Sequence, residues 1–198
     1  MEGQSLKDML ASKDGRTQAV EQIVQELTVD YQALGENPYD GVTIDFEGLR
    51  SGSKQDFTAF LTALSEKLRA MDKTLYVCVP PVLATGSYYD GYDFAAIAAL
   101  ADKLILMAYN YDPTDMSSFV GTTYHQNAAT APLDQVLLSL RAITRQVDPE
   151  KVVLGYCAKN TAWQIDADGK LVSGTPVYPS NDTVAKRLAQ TDTQTGWS

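Results

Sequence analysis

Residues 74–108 run as Thr74–Val79 (TLYVCV), a Pro80-Pro81 break, the Ala-rich stretch Tyr92–Leu100, and Lys103–Ala108 (KLILMA). The two outer runs are continuously apolar and short, the pattern of strands buried on both faces, and the stretch between them suits a helix. Strand, helix, strand without a tight hairpin is a parallel βα unit. The same alternation extends outward. Upstream, Phe57, Phe60, Leu61, Leu64 and Leu68 trace one face of a helix, with Ser53 and Asp56 spaced as a capping box. Before it, Asp40–Phe46 reads as a strand. Val20, Ile23, Val24, Leu27, Tyr31 and Leu34 mark a helix over 17–34, ended by Gly35. Downstream, Pro132 opens a helix lined by Val136, Leu137, Leu140, Ile143 and Val147, and Lys151–Cys157 (KVVLGYC) is a further strand. Ala167-Asp168-Gly169 predicts a small hairpin insertion over 163–176, and residues 181–190 a last helix. These observations define an α/β domain and leave two architectures open, an open doubly wound sheet and part of a closed (β/α) barrel.

At 198 residues, 44% hydrophobic and 21% charged, the chain can bury one sizeable core over 1–198. Its 16 basic against 25 acidic residues leave a net charge of −9, which argues against partners held by phosphate charge, whether nucleic acid or an anionic membrane. No apolar run is long enough to span a membrane, and the first residues lack the basic and apolar regions of a signal peptide. Two cysteines, Cys78 and Cys157, make no disulfide framework and read as reduced core residues. His125, the single histidine, with no Cys-x-x-Cys, speaks against a zinc site and reads as a loop residue. No Gly-x-Ser-x-Gly elbow, dinucleotide fingerprint or phosphate-binding loop is present, so no metal and no cofactor is expected.

The chemistry concentrates in residues 40–47, Asp-Gly-Val-Thr-Ile-Asp-Phe-Glu. Alternation along a strand puts Val42, Ile44 and Phe46 on one face and Thr43, Asp45 and Glu47 on the other. Two carboxylates spaced this way have Cα atoms roughly 6–7 Å apart. In a low-dielectric pocket, one is pushed toward its protonated form, which is what a general acid requires. The bland alternative is a solvated strand end that caps the next helix. Glu47 sits at the C-terminal end of the strand, where parallel α/β folds place their sites.

The stretch DGVTIDFE resembles the Asp-x-x-Asp-x-Asp-x-Glu signature of glycoside hydrolase family 18, the chitinase-like enzymes. The branch it most resembles contains bacterial spore-cortex and peptidoglycan N-acetylglucosaminidases. Met107-Ala108-Tyr109-Asn110 is similar to that family's Met-x-Tyr-Asp, and KVVLGY (Lys151–Tyr156) to its seventh strand. The resemblance implies a partial (β/α)8 TIM barrel holding about strands 4–7, with self-association through two open sheet edges, readable by light scattering. It also implies retaining hydrolysis of chitin-like or peptidoglycan glycans without an enzymic nucleophile. Glu47 would be the acid and base, Asp45 would orient the substrate's acetamido group, and Tyr109 would bond its carbonyl oxygen. Asp40, Thr43, Met107, Asn110, Tyr156 and Trp163 would contact substrate; Tyr88, Tyr89 and Tyr92 are further aromatic candidates. The departures are Thr43 for the signature's second Asp, Asn110 for the Asp after the tyrosine (Asp112 lies near), and Lys159 where the branch often has tyrosine. The resemblance further implies a secreted, cell-wall or spore-coat parent protein. Two other readings stand beside it: a sugar-binding module that does not cleave, and a doubly wound domain with an unrelated ligand.

Overall fold

The computed structural model describes residues 5–29, 39–81 and 90–193. The chain forms two compact units, one from Met1–Met107 with Leu137–Gly155 and the other from Ala108–Val136 with Tyr156–Ser198.

The first unit holds a four-stranded parallel sheet. Its strands are β1 (Gly41–Ile44), β2 (Thr74–Val79), β3 (Lys103–Leu106) and β4 (Val152–Leu154). They pair in the order β1-β2-β3-β4, so every neighbour in the chain is a neighbour in the sheet. A doubly wound sheet reverses its strand order at a switch point; none occurs among these strands. The register sets Ile44 against Val77, Val77 against Leu104, and Leu106 against Leu154. Helices α1 (Leu6–Ala11) and α2 (Lys13–Thr28) precede β1; α3 (Lys54–Ala70) and α4 (Phe94–Leu100) connect the first three strands. The segment between β3 and β4 includes α5 (Leu133–Ile143).

The core lies between one face of the sheet and α3. Phe57, Phe60, Leu61, Leu64 and Leu68 are all buried, as their helical period predicts. Opposite them, Ile44, Leu75, Val77, Val79, Leu104 and Leu106 are buried too. At the start of β4, the Lys151 ammonium donates to the carbonyls of Ala98 and Ala101 at the end of α4, where a cation suits the helix dipole.

Three local expectations change. Ser53 precedes α3 but makes no side-chain cap, because it already belongs to a 3-10 turn over Ser51–Ser53. Asp56 instead pairs with Arg16 of α2 at 3.1 Å, a bond between helices in place of a capping box. In α5 Ser139 and Ile143 are buried, and so is Val147 beyond the helix, whereas Leu137 stays exposed. Helix α2 ends at Thr28, and its expected continuation through Leu34 to Gly35 lies outside the described residues.

The second unit is built from loops, 3-10 turns, a hairpin and α6 (Asn181–Leu188). Antiparallel bridges join Ala162 to Val177 and Ile165 to Leu171. The hairpin turns at Gly169, whose φ of 74° suits glycine, and the Asp166 carboxylate accepts from the amides of Asp168 and Lys170. Met116 and Leu171 are its buried apolar centre. Among the described residues, no helix is long and apolar enough to cross a membrane.

Candidate active site

Strand β1 delivers its residues to two faces, as the alternation requires. Ile44 is buried, and Phe46 stacks on Phe60 with ring centroids 5.3 Å apart and meets Phe57 at 5.9 Å. With Phe46 packed on α3, Thr43, Asp45 and Glu47 turn to the other face, and all three are exposed. The burial expected of the carboxylate pair is therefore not observed. Both groups stay in contact with water.

Their neighbour on that face is Cys78. It is one residue beyond Val77, the register partner of Ile44, so it lies beside Asp45 on the adjacent strand. Cys78 is buried, and the Asp45 carboxylate acts on its thiol. Burial chiefly, then the charge and hydrogen bond of Asp45, then the charge of Glu47, push this thiol up to about 11. Both carboxylates thus lie within electrostatic reach of one sulfur. Cys78 was legible only as a core residue; its link to Asp45 depends on strand register, which one strand's pattern does not contain.

A prediction follows for the two free thiols. At pH 8 roughly one in a thousand Cys78 side chains is ionised, and the thiolate is the reactive form. Cys157 lies beyond β4, not in the core as expected, and is half-buried. Native alkylation with iodoacetamide should label Cys157 well before Cys78, and unfolding in urea should release both. Equal native labelling, read by peptide mass spectrometry, would mean that Cys78 is not held beside Asp45.

The loop carrying Glu47 is fixed from below. The Tyr92 hydroxyl donates to the Phe46 carbonyl at 2.5 Å, while its ring stands edge-on to Phe57 at 5.7 Å. The Asp90 carboxylate accepts from the Ser51 amide at 2.8 Å. Gly91 allows this approach, since a Cβ there would fall 2.4 Å from the Leu49 carbonyl carbon. Tyr92 is therefore a buried brace under the loop and not a sugar platform; Tyr88 and Tyr89 lie outside the described residues.

The remaining candidates fall in separate places. Asp40 precedes β1, and its carbonyl accepts from the Thr74 amide at 3.0 Å, so it stands at the opposite end of the strand from Glu47. Met107 follows β3 and is half-buried, its amide bonded to the Val79 carbonyl at 2.9 Å. Tyr109, Asn110, Tyr156 and Trp163 belong to the second unit. Asn110 adopts a left-handed φ of 60°, which asparagine tolerates, and Tyr156 is 90% exposed. Asp112, which lies near the departure at Asn110, and Lys159, itself a departure, are partners. The Asp112 carboxylate is fully buried and accepts from Lys159 at 2.9 Å and from Thr161 at 2.9 Å. Among the described residues no cluster of three or more His, Cys, Asp or Glu could hold a metal ion.

Consecutive parallel strands with two carboxylates at the C-terminal end of one of them define a (β/α)-barrel type of protein, represented here by part of the barrel. The chain belongs to the glycosyl hydrolases family 18, whose model matches residues 2–197. It is 26% identical over 136 residues to YdhD of Bacillus subtilis (strain 168), a sporulation-specific glycosylase by its assigned name; the match covers 68% of this chain and 30% of that protein. The crystal structure of YdhD matches with a TM-score of 0.73 at 22% identity, covering 95% of this chain and 58% of that one. A chitinase from Chromobacterium violaceum ATCC 12472 matches with a TM-score of 0.68 at 24% identity, covering 95% and 55%. The spore cortex-lytic enzyme SleL of Bacillus megaterium QM B1551 does so with 0.68 at 20%, covering 96% and 41%. The chain thus spans less than two thirds of each relative's length.

Proposed function

We propose that this chain carries the catalytic carboxylates of a hydrolase for β-1,4-linked N-acetylglucosamine glycans, chitin-like or peptidoglycan. The observation that carries this reading is the shared, exposed face of Asp45 and Glu47 at the end of β1. Membership of family 18 supports it, as do relatives named for chitin and spore-cortex cleavage.

In this mechanism Glu47 protonates the glycosidic oxygen. The substrate's own acetamido carbonyl oxygen attacks the anomeric carbon as the leaving group departs, forming an oxazolinium ion. Asp45 accepts a hydrogen bond from the acetamido N–H and steadies the positive charge. Tyr109 donates to the acetamido oxygen and aligns it. Glu47, now a carboxylate, takes a proton from water as that water opens the ring, and the acid is restored. No enzymic nucleophile is needed, which matches the exceptions to the usual two-carboxylate scheme. The neighbouring Thr43 supplies a hydroxyl and no charge. The parent protein acts outside the cytoplasm, at a cell wall or spore coat.

Two displacements at the anomeric carbon leave its configuration unchanged. Proton NMR during hydrolysis of a chitin oligomer should therefore show the β-anomer first, before mutarotation. An initial α-anomer would overturn substrate assistance. Binding of the oligomer without any turnover would instead favour a sugar-binding module.

A further inference from the structure

We propose that a cavity in the second unit is a subsite for a sugar bearing a carboxylate substituent, with Trp163 as its platform and Arg187 as its anion partner. This rests on the reading of the chain as acting on N-acetylated glycans and names a feature of the substrate that the carboxylate pair does not recognise. The cavity has a volume of about 560 Å³, within the range of small-ligand sites, and every lining residue belongs to the second unit.

Its charge runs against that of the protein. The chain carries −9, yet the lining contains His125, Lys159 and Arg187 and, among the described residues, neither aspartate nor glutamate. Lys159 is committed to the buried Asp112 at 2.9 Å, so that charge is already answered. Arg187 has no carboxylate partner among the described residues, and it projects from the last turn of α6 into the lining. A guanidinium presents a planar fork of donors that matches a carboxylate's two oxygens. Such a cation facing an acid-free cavity is suited to an anionic group on the ligand.

A second observation concerns His125. Its Nδ1 is buried and has no hydrogen-bond partner among the described residues, although the residue lines the cavity. A buried polar atom left unpaired costs roughly 1–3 kcal/mol, and a sugar hydroxyl or amide supplies the missing partner. Trp163, half-buried in the same lining, offers a flat ring on which the C–H face of a pyranose packs. The wall is held in advance of binding. The Asn160 amide donates to the Asn181 side chain at 2.6 Å and to the Pro179 carbonyl at 3.3 Å, which ties the segment after β4 to the start of α6. His125 was an ordinary loop residue by sequence, and Arg187 carried no motif; only the cavity brings them together.

The test uses two sugars that differ by one substituent, N-acetylmuramic acid and N-acetylglucosamine, the former adding a lactyl ether with its carboxylate. Affinities are measured by calorimetry on the Glu47→Gln variant, so that no turnover intrudes. N-acetylmuramic acid should bind at least tenfold more tightly. Arg187→Gln should erase that preference while leaving N-acetylglucosamine affinity unchanged, and Trp163→Ala should weaken both sugars. The methyl ester of N-acetylmuramic acid should behave as N-acetylglucosamine does. Equal affinities for the two sugars, or an Arg187→Gln variant that still discriminates between them, would overturn the subsite. Muramic acid binding with no hydrolysis by the unsubstituted protein would retain the subsite and overturn only the hydrolytic reading. Hydrolysis with no such preference would do the reverse.

Discussion

Glu47→Gln should lower the rate of glycan hydrolysis by about a thousandfold, within the range removed when a general acid–base is lost. The substitution keeps the shape of the side chain and its place at the end of β1, and it takes away the one proton the leaving oxygen needs. A thousandfold loss corresponds to about 4 kcal/mol of transition-state stabilisation. Glu47 is exposed, so the variant should unfold at the same urea concentration as the unsubstituted protein. Binding of an uncleaved oligomer should also persist, because the acid acts on the transition state more than on the ground state. The measurement is the release rate of a chromogenic N-acetylglucosamine oligomer, with and without the substitution. A substrate with a nitrophenol leaving group departs with little protonic help, so its loss should be smaller than that for a natural glycosidic bond. That difference marks an acid, whereas a merely structural role for Glu47 would slow both substrates alike. A rate within threefold of the parent would remove Glu47 from the mechanism.

The parts of the molecule that obey a period were legible before any coordinates. The five apolar positions of α3 recur at helical spacing, and all five are buried because the same spacing places them against the sheet. Parity in residues 42–47 sorted the core face from the site face for the same reason. What could not be read depends on contacts between segments distant in the chain. Cys78 reaches Asp45 through strand register, and Tyr92 reaches the Phe46 carbonyl across 46 residues. Lys159 reads as a lone departure in the sequence, and only the fold shows that it neutralises the buried Asp112. The Ser53 cap fails because Ser53 is taken up in a 3-10 turn, and Asp56 pairs with Arg16 on a different helix. The expected burial of the carboxylates failed for another reason. Alternation specifies which face a side chain takes, but what covers that face depends on neighbouring elements.

The second large effect concerns the support beneath those carboxylates. Phe60→Ala should destabilise the first unit by about 3–5 kcal/mol, the usual range for emptying a fully buried aromatic site. Against a total stability of about 5–15 kcal/mol this is a large fraction. In a urea titration followed by circular dichroism, the midpoint should fall markedly, with little change in slope. The position also links fold to chemistry. The Phe60 ring stacks on Phe46 at 5.3 Å, and Phe46 lies between Asp45 and Glu47 in the chain. With that ring gone, Phe46 loses its seat, and the Tyr92 hydroxyl alone cannot hold the Phe46 carbonyl in place. The folded fraction should then show a lower kcat, measured well below the new midpoint. Phe60→Leu refills part of the volume and should recover most of the stability. It restores no aromatic stack, so kcat should recover less than stability does. If both recover together, the contact acts only through packing; if neither property changes in Phe60→Ala, the sheet does not rest on α3 at this point.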